Sequence, residues 1–218
     1  MEKGREGREP ASNRDMRKLF VAILFALGLQ ASAQAGMTEG ASAYNARNYA
    51  QALKEITPLA EAGNPDAEQL LGLMYYMGRG TQRDYKEAFA WSQKAALQGK
   101  ADAEYLIGAM YYQGNAVPLD QKQAVYWFRK AAEQGQAEAQ YALGLLYRYH
   151  VAGVPQDVVI AYMLWNLAAA NGHANAVNQR ASVSKQMSQE QIEEAQAMSR
   201  NWKVGTPLPA QSRTGGST

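Results

Sequence analysis

The chain has 218 residues, 47% of them hydrophobic and none a cysteine, so it can bury a core but can form neither a disulfide framework nor a thiolate metal site. The formal charge is +2, but six of the 22 Lys and Arg and four of the 20 Asp and Glu precede Gly36, leaving 16 of each sign beyond it. A stretch so balanced carries no electrostatic footprint for nucleic acid or an acidic membrane surface, and both partner classes are excluded.

Residues 1–35 read as an N-terminal extension followed by a leader. From Met16, two basic residues (Arg17 and Lys18) precede an apolar run from Leu19 to Leu29. Small-residue exits follow at Ala31-Ser32-Ala33 and Ala33-Gln34-Ala35. This is the pattern of a Sec-type signal peptide cleaved near Ala33 or Ala35, and the expected location is periplasmic or secreted. The competing reading is an uncleaved anchor, but eleven apolar residues fall short of the ~20 that a spanning helix needs. No membrane contact is expected after cleavage.

A repeat follows. Ala67, Ala103 and Ala139 lie 36 residues apart, as do Gly72, Gly108 and Gly144, and Tyr75, Tyr111 and Tyr147. Asp84, Asp120 and Asp157 open a second segment in each unit, which closes on Ala-Ala and then a glycine: Gly99, Gly135 and Gly172. Fixed periods of this length mark stacked supersecondary units. The first segment of each unit is predicted helical, with Leu106, Ile107, Met110 and Tyr111 forming one apolar stripe in the second copy. Gly108 beside that stripe calls for a close partner, because glycine in a helix needs a packing reason. The second segment is predicted to be a helix capped by its aspartate, with Pro118 and Pro155 ending the loop before it. The units read as 67–102, 103–138 and 139–175, after a degenerate leading copy at 36–66. A helix pair at 176–202 caps the array, with a capping-box pattern at Ser188 and Gln191. The tail, 203–218, is rich in Gly, Pro, Ser and Thr and is predicted to be disordered.

"AEYLIGAMYYQGNAVPLDQKQAVYWFRKAAEQG" resembles the Sel-1-like repeat, a relative of the tetratricopeptide repeat with a longer inter-helix loop, and "AEQLLGLMYYMGRGTQRDYKEAFAWSQKAALQG" is a second copy. The third unit resembles the terminal variant, with Leu164 where the others carry Trp91 and Trp127, and Trp165 displaced by one. The resemblance spans roughly 40–202. It implies an all-α fold: an α-solenoid of stacked antiparallel helix pairs in a right-handed superhelix, used as a non-catalytic adaptor for a protein or peptide and often exported in bacteria.

Residues that obey the period are read as structural, and those that break it as functional. Tyr75, Tyr111 and Tyr147 recur without exception and are assigned to the core, whereas the next position reads Tyr76, Tyr112, Arg148. By similarity to tetratricopeptide arrays, the concave binding groove would take Gln69, Tyr76 and Met77 from the first unit. Tyr105, Tyr112 and Gln113 would come from the second, and Tyr141, Arg148 and Tyr149 from the third, with Leu73, Ala109 and Leu145 between them. Aromatic and Arg-rich composition suits an interaction surface.

Chemistry-bearing fragments are few. Ser182-Val183-Ser184-Lys185 matches the Ser-x-x-Lys of penicillin-interacting enzymes, without the companion Ser-Asp-Asn and Lys-Thr-Gly motifs. It supports the alternative of a cell-wall-directed hydrolase or penicillin-interacting enzyme on the same scaffold. A third reading is a structural subunit whose groove is filled by its own tail or by another copy. Neither His150 nor His173 has a metal-binding neighbour at helical spacing, so no metal or cofactor is expected, and His173 is assigned to a helix cap.

Overall fold

The computed structural model describes residues 32–151 and 153–214. They form ten helices and no strand: α1 (32–45), α2 (Tyr49–Glu61), α3 (Pro65–Met77), α4 (Tyr85–Leu97), α5 (Ala101–Gln113), α6 (Gln121–Glu133), α7 (Ala137–Tyr149), α8 (Val158–Ala170), α9 (Ala174–Ser184) and α10 (Gln189–Asn201). From α2 to α9 each helix packs on its chain neighbours, α3 on α4, α5 on α6 and α7 on α8 most closely, and α10 returns onto α8. The product is an α-solenoid. Residues 16–31 of the expected leader, 16–35, lie outside the described residues. Ala33 and Ala35 lie within helical backbone of α1, whose Gly36 and Gly40 face Leu59 and Ile56 of α2.

The recurrent aspartates start the second helix of each unit. Asp84, Asp120 and Asp157 each accept from two amides of the first turn, through Oδ1 at 2.9–3.2 Å. This satisfies donors that have no partner within the helix. The backbone amide of each aspartate also donates to the carbonyl of the recurrent tyrosine, Tyr75, Tyr111 or Tyr147, at 3.0–3.1 Å. Cap and clamp together hold the long loop in one shape.

The mid-helix glycines allow the two helices of a unit to meet. A Cβ on Gly72 would lie 2.4 Å from Ser92 Oγ, on Gly108 2.7 Å from Phe128 Cδ1, and on Gly144 2.5 Å from Trp165 Nε1. Ser92, Phe128 and Trp165 occupy one repeat phase, so the displaced tryptophan of the third unit takes the glycine-facing position. Trp165 is fully buried and donates to Tyr141 O at 3.2 Å. Leu164, in the phase of Trp91 and Trp127, is fully buried too.

The two helices of each unit are tied together by polar side chains of equal phase. Gln98 donates to Glu68 at 2.7 Å, Gln134 to Glu104 at 2.6 Å, and Asn171 to Gln140 at 3.1 Å. Glu104, with no solvent exposure, also pairs with Lys130 at 3.1 Å. A buried carboxylate is tolerable only when so satisfied.

Two expectations are corrected. The recurrent tyrosines are not equally buried: Tyr147 is 2% exposed, while Tyr75 and Tyr111 are half-buried. The tail is also not free over its described length. Residues 203–214 lie across α6, the end of α7, the α8 cap and α10, with Leu208 buried in the cluster that contains Tyr147 and Trp165. The tail covers Tyr147, whose hydroxyl donates to Ala210 O at 3.2 Å, whereas Tyr111 packs on Phe89 and stays half-buried. Composition argued for disorder because Gly and Pro disfavour helix and strand, but an extended segment needs neither when side chains on a neighbouring surface supply its hydrogen bonds.

Candidate functional site

Two adjoining cavities of about 390 and 310 Å³ run along the first helices of the units. The repeat phase that stacks α3, α5 and α7 side by side brings their Tyr76, Tyr105 and Tyr141 onto one surface. The larger cavity lies between α3 and α5 and is walled by Gln69, Leu73, Tyr76, Met77, Tyr105 and Gln113, with Asp102 and Glu138 at the α5 and α7 starts. The smaller lies between α5 and α7, against Tyr105, Tyr112, Gln113, Tyr141, Leu145 and His173. Tyr105, Ala109, Gln113 and Glu138 line both, so the two form one groove with Tyr105 standing between its halves.

The structure therefore brings seven of the nine expected groove residues together: Gln69, Tyr76, Met77, Tyr105, Tyr112, Gln113 and Tyr141. Arg148 and Tyr149 line neither cavity. Arg148 is turned to Gln186 of the capping pair and lies over its own neighbour Tyr149, which is exposed. The α9–α10 pair draws that guanidinium off the groove.

The aromatic surface is pre-arranged. Tyr105 packs on Phe128 at 5.7 Å between ring centroids, Tyr112 lies 6.5 Å from the same ring, and Tyr76 donates to Gln113 Oε1 at 3.0 Å. Tyr112 keeps 42% of its surface exposed, which leaves an amphipathic ring free to contact a ligand. Burial and the nearby Glu138 charge push the Tyr105 hydroxyl above its ordinary range, so it stays a neutral donor at physiological pH.

His173 does not cap with its side chain, contrary to expectation. Its backbone amide closes the α8 end on Ala168 O at 2.9 Å, and its ring stacks on Tyr141 at 4.1 Å and 17°. The other residues that the sequence did not point to are Asp102 and Glu138. Both follow the 36-residue period with Asp66, and both sit in first turns, where a carboxylate suits the positive end of the helix. Periodicity marked them as structural, yet they are the charged residues of the groove. Asp102 accepts from Gln69 at 3.1 Å, and Glu138 from Gln136 at 2.7 Å.

Ser182 and Lys185 lie exposed on the capping pair, away from both cavities, and the Ser184 hydroxyl donates to Ala181 O at 3.0 Å. Among the described residues no cluster of three or more His, Asp or Glu could hold a metal ion, and no helix is long and apolar enough to cross a membrane.

The Sel1 repeat profile matches residues 65–100, 101–136 and 137–173. Among solved structures, the chain is similar to c5321, described as a protective antigen present in uropathogenic Escherichia coli strains displaying an SLR fold. The identity is 34% and the TM-score 0.64, covering 70% of this chain and 32% of that one. It is also similar to a Sel1 repeat protein from Oxalobacter formigenes, at 35% identity and a TM-score of 0.62, covering 66% of this chain and 58% of the other. The chain thus spans about a third and somewhat over half of those two proteins. No curated protein matches it. The matched profile covers half of the chain, and its boundaries fall at the starts of α3, α5 and α7, where the glycine-linked helix pairs begin; the chain belongs to the Sel1 repeat family.

Proposed function

We propose that the protein is a non-catalytic adaptor that captures an extended or helical peptide segment of a partner protein in its concave groove. The observation that supports this best is the continuous aromatic groove across α3, α5 and α7. Several of its lining positions change residue between units, as Gln69 to Tyr105 and Met77 to Gln113 do, and its pre-packed rings need little ordering on binding. The use of Sel1 repeats as protein-interaction modules supports it further. The charged residues lining the groove, Asp102 and Glu138, are both acidic, which favours a segment carrying Lys or Arg beside an aliphatic or aromatic residue. The signal-type leader, and the description of a similar protein as an antigen, support placing this activity outside the cytoplasm.

The test is selection from a random peptide library on the full chain, repeated with Tyr112→Ala and Glu138→Lys. Enriched peptides are expected to carry a basic and a bulky apolar residue, to lose about tenfold in affinity on Tyr112→Ala, as a 1.4 kcal/mol contact would give, and to lose their basic residue when selected on Glu138→Lys. Selection of peptides indifferent to both substitutions would overturn the reading.

A further inference from the structure

The tail meets the solenoid in a way that chain-end packing does not require. Leu208, Ala210, Ser212 and Thr214 each give or take hydrogen bonds with the surface, and the amides of Gly205 and Arg213 donate to Glu133 O and to Glu194, both at 2.7 Å. Glu133 accepts from the Leu208 amide at 2.9 Å, and Arg129 donates to Leu208 O at 2.8 Å. Tyr147 donates to Ala210 O, Asp157 accepts from both the amide and the hydroxyl of Ser212 at 2.7 and 2.9 Å, and Gln191 donates to Thr214 O at 3.0 Å. Main-chain groups bound along an extended segment, with one apolar side chain inserted, are how folded domains recognise peptides in trans.

The partners on the solenoid break the repeat. Arg129 corresponds to Gln93 and Asn166 in the neighbouring units, and Glu133 to Leu97 and Ala170. None of the tail's hydrogen-bond partners lines the concave groove, so this channel on α6, the end of α7, the α8 cap and α10 is a separate surface. It is also viable uncovered. Asp120 performs the same capping task as Asp157 while exposed, so leaving the tail site would return Asp157 to water and strand no buried charge.

We propose that this channel is a second peptide-binding site, specific for extended segments of the pattern Leu-Pro-x-x-Ser, and that the chain's own residues 203–214 are its ligand in cis. A tethered ligand acts at an effective concentration on the order of mM, so the intact chain resists an added peptide until its own segment is weakened.

The test titrates a fluorescent peptide of residues 203–214 against the full chain and against full-chain Leu208→Asp, which cannot seat its own tail. Leu208→Asp is expected to keep the helical signal and to bind the peptide at least tenfold more tightly than the unsubstituted chain. Ser212→Glu, which sets a carboxylate against Asp157, reaches the same outcome without touching the apolar contact. A peptide carrying Ser212→Ala is expected to bind severalfold more weakly to either variant. Equal affinity of the variants and the unsubstituted chain, indifference to the Ser212 change, or loss of helix in both variants would each overturn the proposal, since a self-ligand is dispensable to the fold.

Discussion

The second unit, α5–α6, and the third, α7–α8, share cap, clamp and glycine contact, yet one is open and the other enclosed. α6 is amphipathic, with Ala124, Phe128, Ala131 and Ala132 buried along one face. α8 is buried without a break from Val159 to Trp165, because α7, α9 and α10 pack around it. A helix apolar all round requires cover on all sides. The same difference appears at single residues: Asp120 is exposed and Asp157 is 1% exposed, while Tyr111 is half-buried and Tyr147 is fully covered. One repeat template thus yields two environments, and the environment is set by what lies outside the template.

Paired substitutions at equivalent positions test that contrast. Tyr147→Ala removes a covered ring together with hydrogen bonds to Arg129 and the tail, and is expected to cost about 3–5 kcal/mol. Tyr111→Ala removes a half-buried ring packed edge-on to Phe89 and is expected to cost about 2 kcal/mol. Denaturant melts of the two variants measure the gap, and equal losses would mean that the tail adds nothing to Tyr147.

A smaller contrast lies in the loops. α5 ends on Gly114 at φ 71°, whereas the equivalent residue of the third unit is His150 at φ 52°, left-handed backbone in a residue with a side chain. His150→Gly should stabilise the protein by about 0.5–1 kcal/mol, the relief of strain less the added freedom of the unfolded chain, and Gly114→His should do the reverse. Thermal melts of both variants decide it.

Most of this scaffold was legible in the sequence, because a period of 36 residues repeats every structural constraint three times. Gly108 announced a close contact, and Asp120 and Asp157 announced caps, from their positions alone. The groove was legible at positions whose residue changes from unit to unit, as from Gln69 to Tyr105, and hidden where a lining residue follows the period, as at Glu138. Arg148 was misplaced because its position follows from a partner outside the repeat, Gln186. The tail was misread for the same reason. Its order resides in Arg129, Glu133 and Asp157, not in its own composition, although the departure of Arg129 and Glu133 from the period was a signal open to use.

The smallest effect is a pH response confined to the enclosed end. Glu194 on α10 accepts from the Arg213 amide at 2.7 Å and from the Thr214 amide at 3.1 Å, and from the Thr214 hydroxyl as well. Burial works to raise its carboxyl, but these bonds and the Arg213 charge outweigh burial and hold it below the ordinary range. The other charged groups at this contact are Arg213 and Glu190, themselves paired at 3.6 Å. A carboxyl depressed in the docked state favours docking above its free value, and that contribution is lost as pH falls through the docked value. The amide resonances of Arg213 and Thr214 should therefore titrate with a midpoint below the ~4.3 of an unperturbed glutamate. In the Leu208→Asp chain the midpoint should return to that ordinary value. An ordinary midpoint in the unsubstituted chain would mean that the last residues of the tail are not seated on α10, and it would remove the distinction between the two units at that end.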